Sequence, residues 1–379
     1  MKRIYLDNAA TSFPKAPGIS EEIRTFLEED CLNPNRTESG RAYELFDKVY
    51  SLRCTLSKLY EHDSPESVIF TKSVTEALNW VIKGLFTPSD HVLVTSSEHN
   101  AVMRPLVQCK IPFSRIPADG RGYSKLEGVE PLIQPNTKAM IINACGNVSG
   151  HVEDISALAE IAKKHGLLLF IDSAQASPYT QLSMKALDAA GICFTGHKGF
   201  LGPEGIGGMV LRKDIAFAIQ PLIIGGTGSE SDSEEIPHSL PDRLESGTLN
   251  LPGILGFKKA LDYTLENYDA LKDKIWANTQ RLYKGLEQID GIEIVGAKLY
   301  AARTNVISII SHKKDIAQIS AQLLENGGIE TRVGLHCSPS AHKTLGTFPS
   351  GTLRFSPGPF NTFEEIDETL VYLKEIMDE

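Results

Sequence analysis

Between about residues 66 and 215 the chain alternates short apolar runs with amphipathic stretches. VIFT (68–71), HVLVT (91–95), AMIIN (139–143), LLLFI (167–171) and ICFT (192–195) predict strands. Their near-continuous hydrophobicity suits strands buried on both faces, as in a parallel sheet. Ser73-x-x-Glu76 reads as a capping box opening a helix over 74–85, with Leu78, Ile82 and Leu85 on one face. Ile155, Leu158 and Ile161 predict a second helix over 152–165, which Gly166 terminates. The alternation implies an α/β fold: a three-layer α/β/α large domain on a mainly parallel sheet.

After about residue 255 the pattern changes. One long helical stretch (roughly 254–288) leads to weaker strands near 292–296 and 305–311 and a helix near 315–326. The last helix starts at a second capping box, Thr362-x-x-Glu365, and sets Ile366, Leu370, Leu373 and Met377 on one face. This predicts a smaller α+β domain. The expected division is 16–255 for the large domain, and 1–15 with 256–379 for the small one.

Composition narrows the function. The 379 residues carry 48 acidic and 38 basic side chains, a net charge of −10, with no basic cluster to suit a nucleic acid. The six cysteines (31, 54, 109, 145, 193 and 337) form no C-x-x-C pair and are too sparse for a disulfide scaffold, so free thiols and no metal centre are expected. No apolar run nears the roughly 18–20 residues of a membrane helix. The start, MKRIYLDNAATSFP, reaches Asp7 too soon for a secretory apolar region. A soluble, cytoplasmic protein is the expectation.

Ligands of an open α/β sheet gather outside the carboxyl ends of its strands. Asp172 stands there, directly after LLLFI; it could cap the next turn or balance a positively charged ligand atom. Lys198, in FTGHKGFLGPEGIGG, stands 26 positions later among Gly196, Gly199, Gly202, Gly205 and Gly207. A lone loop lysine is ordinarily a solvated charge. Paired with a carboxylate at a neighbouring strand end, it is what pyridoxal phosphate needs: an amine for the Schiff base and an acid to keep the ring nitrogen protonated. TKSVT (71–75), between a strand and a helix start, could be a plain N-cap or a phosphate seat. His99, in SSEHN, could stack on a ring and move protons. GGTGSES (225–231) is glycine-rich but follows no strand–helix turn.

Together these residues resemble the class V aminotransferase family of fold type I pyridoxal-phosphate enzymes, in its cysteine desulfurase and selenocysteine lyase branch. The match runs from YLDNAAT (5–11) to RFSPGPFNTFEEID (354–367), through IDSAQ, TGHKGFLGPEGIG, RLESGTLN (243–250) and TRVGLHC (331–337). The resemblance implies Lys198 as the Schiff-base lysine, Asp172 as partner of the pyridine nitrogen, Gln175 as donor to the phenolate oxygen and His99 stacked on the ring. It implies Val74, Thr75, Thr195 and His197 as the phosphate cradle, with Thr248 lent across a homodimer interface. Asn143 and Arg354, with Arg332 close by, would hold the substrate carboxylate, and Cys337 would be the nucleophile that takes sulfur from L-cysteine as a persulfide and releases alanine. Arg332 or His336 could favour the Cys337 thiolate. Around that cysteine the chain departs from the branch: Leu335 stands where relatives carry a histidine, and Ser338-Pro339-Ser340 follows, with His342 and Lys343 unmatched.

Within the same resemblance, a selenocysteine lyase or a class V aminotransferase acting on another small amino acid are the rival activities, and a sulfur-acceptor protein is a possible partner. A nucleotide-binding dehydrogenase would need the G-x-G-x-x-G turn that is missing after the first strand. A non-catalytic scaffold would have no use for Asp172, Lys198 and His99 together.

Overall fold

The computed structural model describes residues 3–32, 40–230 and 232–379. A seven-stranded sheet centres the larger half, in the spatial order Val68–Thr71, Gly207–Leu211, Gly191–Thr195, Leu168–Asp172, Thr137–Asn143, His91–Val94 and Phe113–Arg115. Neighbours run parallel except around Gly207–Leu211, which is antiparallel to both of its own. Both faces are buried, which explains the continuous apolar runs. Met140, Ile142, Leu169 and Ile171 face one core with helices Gly40–Leu59, Ile155–Lys164 and Leu251–Glu266. Ala139, Ile141, Phe170 and Cys193 alternate to the other, with Val74–Leu85 and Asn100–Gln108. The fold is the expected three-layer α/β/α sandwich.

All five strands read from the pattern form, with ends shifted by a residue or two. Two more join them. Phe113–Arg115 is a three-residue edge strand, and Gly207–Leu211 hides behind its glycines. The long helical stretch is two helices, Leu251–Glu266 and Tyr268–Leu286, parted at Asn267, whose amide caps back onto the Tyr263 carbonyl at 2.8 Å. Thr362 and Glu365 close the reciprocal box at the last helix, Phe363–Asp378. At Ser73 only half of it forms: Ser73 accepts from the Glu76 amide, but the Glu76 carboxylate accepts from Lys72.

The smaller half holds a four-stranded antiparallel sheet, ordered Arg332–Gly334, Thr352–Phe355, Ile307–Ser311 and Ile292–Val295. Ile4 and Leu6 enter its core with Leu282, Ile309, Leu353 and Leu373. Ile4–Tyr5 pairs in parallel with Ile329–Glu330, and Asp7 bridges to Ser356. The start of the chain is thus stitched beside its end. No described helix is long and apolar enough to cross a membrane.

One buried ion pair ties the segment 242–250 to the sheet. Glu245 holds Arg53 through both oxygens (2.9 and 2.6 Å) and also accepts from the Phe70 amide at 2.6 Å, while Arg53 donates to the Val68 carbonyl. Both side chains are at most 5% exposed, so neither charge has water to fall back on. Glu245→Ala strands the guanidinium, and urea unfolding should show a loss of about 3–5 kcal/mol. A loss below about 1 kcal/mol would mean that the pair is dispensable.

Candidate active site

Strand register builds the first wall. Thr71, Gly207 and Thr195 align across three adjacent strand ends. A Cβ on Gly207 would meet the Ser73 backbone at 2.8 Å, so only glycine lets the start of helix Val74–Leu85 sit this close to the sheet. The first N–H groups of a helix have no intrahelical acceptor. Those of Val74 and Thr75 therefore remain to attract an anion, beside the partial positive charge of the helix end. The Thr195 hydroxyl is buried here without a hydrogen-bond partner. His197 comes from the next turn, its Nδ1 3.1 Å from the Thr11 hydroxyl. Thr248 is exposed and lines a depression with Thr71, Lys72 and Glu76. Of the GGTGSES stretch, Ser231 lies outside the described residues; Thr227 and Ser229 engage each other in a loop.

Asp172 ends its strand almost fully buried and accepts from the Ala174 amide at 2.9 Å. Burial pushes its pKa up, opposed by that N–H and by the charge of Lys198. The Lys198 ammonium forms no hydrogen bond or ion pair among the described residues, and burial pulls its pKa down to about 8 although Asp172 favours the charged form. The two opposite charges sense each other across a gap without closing it. Gln175 reaches back to donate to the Ala9 carbonyl at 2.9 Å. His99 is the N-cap of helix Asn100–Gln108: Nδ1 accepts from the Ala101 amide at 3.0 Å, leaving the ring proton on Nε2. Burial, then Lys198, Arg332, Arg104 and Arg354, lower its pKa to about 4, so the ring is neutral at pH 7.

The smaller half supplies the other wall. Arg332 and Arg354 are direct cross-strand partners. Like charges placed opposite one another repel, an arrangement suited to an anion between them. Arg354 is buried, donating to Asp7 at 2.6 Å and to the Asn147 carbonyl at 3.2 Å, while its Nε has no partner. Arg332 Nη2 lies 3.8 Å from Cys337 Sγ. His336, the other expected support for the thiolate, does not serve. It is buried with Nε2 against Thr352, and burial, with Arg354 and His342 near, holds it neutral at a pKa of about 2. His342 packs on it, ring centroids 5.7 Å apart, so the unmatched histidine belongs to the base of this turn.

Cys337 is exposed, and it shares an open depression of about 710 Å³ with Thr75 and His99. His336 and Cys337 both adopt left-handed backbone (φ 47 and 58), which side chains disfavour. Neighbours hold them there. Asn147 donates to the His336 carbonyl and accepts from the Ser338 hydroxyl, both at 2.8 Å, and the Cys337 carbonyl accepts from the Asn100 amide at 2.9 Å.

Three residues here escaped the sequence reading. Asn143, expected at the substrate carboxylate, turns its amide to the Ser97 carbonyl, and it is Asn147, four residues on, that reaches Arg354 and the Cys337 turn. Asp7 was quoted but given no role. Glu98 is fully buried with its pKa raised to about 8 by burial, and it accepts from Thr95 and from the Asn143 amide. The signal for Asn147 was its place in a Gly-Asn turn past the strand, where a side chain can face the other half.

Asn147→Ala removes the clamp on both sides of Cys337. Each lost hydrogen bond is worth about 1 kcal/mol, so amide exchange at Leu335–Ser338 should quicken about tenfold or more with the fold intact. Unchanged exchange would show the turn to be held without Asn147.

A family model described as aminotransferase class-V matches residues 4–369. A probable cysteine desulfurase of Borreliella burgdorferi is 28% identical, covering 99% of this chain and 92% of its own. One from Methanothermobacter thermautotrophicus is 29% identical over 98% and 94%. Among solved structures, the apo cysteine desulfurase of Thermococcus onnurineus NA1 superimposes with a TM-score of 0.90 at 26% identity, covering 99% of this chain and 95% of that one.

Proposed function

The chain belongs to the class V aminotransferase family, and on that premise we propose that it is a pyridoxal-phosphate-dependent cysteine desulfurase. The observation that carries this reading is Cys337, exposed on a pinned turn beside Arg332 and in one depression with His99. A transaminase has no need of such a thiol.

The residues present fit the cofactor. The Thr195 hydroxyl lacks a partner, the Val74 and Thr75 amides lie at a helix start, and a Cβ at Gly207 would disturb that cradle. Lys198 would anchor the aldehyde carbon, Asp172 the ring nitrogen, and His99 would lie on the ring as a neutral imidazole. Pyridoxal phosphate, when bound, supplies a sink for the electrons left at the substrate α-carbon. Arg354 offers its unpartnered Nε to the substrate carboxylate, with Asn147 and Arg332 beside it. Lys198 Nζ, with its lowered pKa, is suited to carry a proton to and from the α-carbon near neutral pH. The Cys337 thiolate attacks the substrate sulfur; an S–S bond forms, the C–S bond breaks, and the carbon skeleton leaves as alanine once Cβ is protonated. Arg332 faces the sulfur throughout.

Thr248, exposed on this chain, is free to be lent to a partner in a homodimer. Six free thiols suit a reducing compartment, the cytoplasm. The exposure of Cys337 suits delivery of sulfur to an acceptor protein.

Two measurements test this. The purified protein should release alanine and, with a thiol reductant, sulfide from L-cysteine. Cys337→Ala should lower that turnover by about 100-fold or more while keeping the visible cofactor band that borohydride removes; persulfide turnover undiminished in this variant would sink the assignment. Only the neutral amine attacks an aldehyde, and the folded pKa of Lys198 lies near 8 rather than at 10.5. Recombination of apoprotein with pyridoxal phosphate should therefore accelerate from pH 6.5 to about 8.5 and level above it. A rate still climbing steeply at pH 10 would mean that Lys198 is not depressed.

A further inference from the structure

A second cavity, of about 180 Å³, shares Lys198 and Gln175 as walls, while none of His99, Asp172, Arg332, Cys337 or Arg354 lines it. It lies between the 174–180 segment of the larger half, helix Tyr268–Leu286, and the turns at 303–305 and 358–359. Among the described residues three cations face it, Lys198, Lys272 and Arg303, and no aspartate or glutamate does. Arg303 donates to the carbonyls of Thr304, Ala297 and Val306 (3.1, 2.9 and 2.5 Å), and has no carboxylate partner among the described residues. Burial pulls its pKa down to about 10, and its guanidinium lies 4.8 Å from the centroid of the Tyr283 ring. Lys272 likewise has no ion pair, its ammonium resting 5.5 Å from the centroid of the Tyr268 ring.

Leu201, Ile275, Pro359 and the indole of Trp276 give it an apolar side, and Asn8, Gln175 and Asn305 are among the polar groups that share the wall. The Tyr179 hydroxyl, also at this cavity, is buried with no hydrogen-bond partner. Arg303 is buried with carbonyls but no carboxylate for partners, so an anion is welcome beside it, and the exposed Lys272 adds a second positive charge at the rim. A cavity of about 150 Å³ lined by apolar side chains holds benzene, so a six-membered ring with one carboxylate suits the space.

We propose that this cavity is a second binding site, for a small apolar monocarboxylate of the size of benzoate, with the carboxylate at Lys272 and Arg303 and the apolar body against Trp276. Because its walls come from both halves and include Lys198, an occupant would tie the halves together and act on the reaction from outside the sulfur-transfer pocket. The site does not rest on the desulfurase reading.

The chain has two tryptophans, Trp80 and Trp276, and only Trp276 lines the cavity. Benzoate titrated into the holoenzyme should change tryptophan emission saturably, and Trp276→Phe should remove that change. Losing a charge-assisted contact should raise the midpoint about tenfold in Lys272→Met and in Arg303→Met, and benzyl alcohol, of like shape without charge, should bind about tenfold more weakly. Lys272 is exposed, so its variant keeps the fold even if Arg303→Met does not. No saturation below about 50 mM, or an unchanged midpoint in Lys272→Met, overturns the proposal. So does a midpoint that rises with added L-alanine or in Arg354→Lys, which would place benzoate in the substrate pocket.

Discussion

Burying the Arg354 guanidinium is the constraint around which the site is arranged. At 1% exposure it cannot lean on water, and its carboxylate partner, Asp7, lies 347 positions earlier in the chain. Meeting that demand holds the segment just after the first strand beside the end of the last one, through the Asp7–Ser356 bridge. It also draws in the 143–151 loop, whose Asn147 carbonyl accepts a second Arg354 N–H while its side chain clamps the turn of Cys337. Arg354 and the turn of Cys337 therefore share one support.

The site's charge runs against that of the molecule. The protein carries −10 overall, yet Lys198, Arg332, Arg354 and Arg104 together depress the basicity of His99, second to burial. A cationic pocket in an anionic body concentrates small anions. It also keeps the imidazole neutral.

Elements with an undiluted hydrophobic period were legible in the sequence: the strands at 68–71, 137–143 and 168–172, and the helix at 74–85. Gly207–Leu211 was not, because its glycines serve a tight approach to Ser73 and erase the strand signal. Asn267 was read through because both flanking helices are amphipathic and one residue hardly disturbs a 3.6-residue period. Within the site, the positions just past strand ends were legible, since topology alone locates them. The reading stopped at Asn143 because a strand's end is visible in sequence. Which of two nearby asparagines faces the other half of the molecule depends on the turn between them. His336 failed for a related reason: adjacency to Cys337 in the chain says nothing about which way a left-handed turn sends the ring.

That turn has a consequence for how the protein can change. Two successive side-chain-bearing residues in the left-handed region are held against a backbone preference of about 1–2 kcal/mol each. Glycine at 337 would be the more comfortable occupant, because that side chain is exposed, whereas His336 is buried against Thr352 and His342 and cannot be cut away without loss. A lineage under pressure for thermal robustness alone would drift toward it, and an engineer ranking substitutions by stability would choose it first. Either would delete the thiol. The turn is a place where the most stable sequence and the working sequence part company.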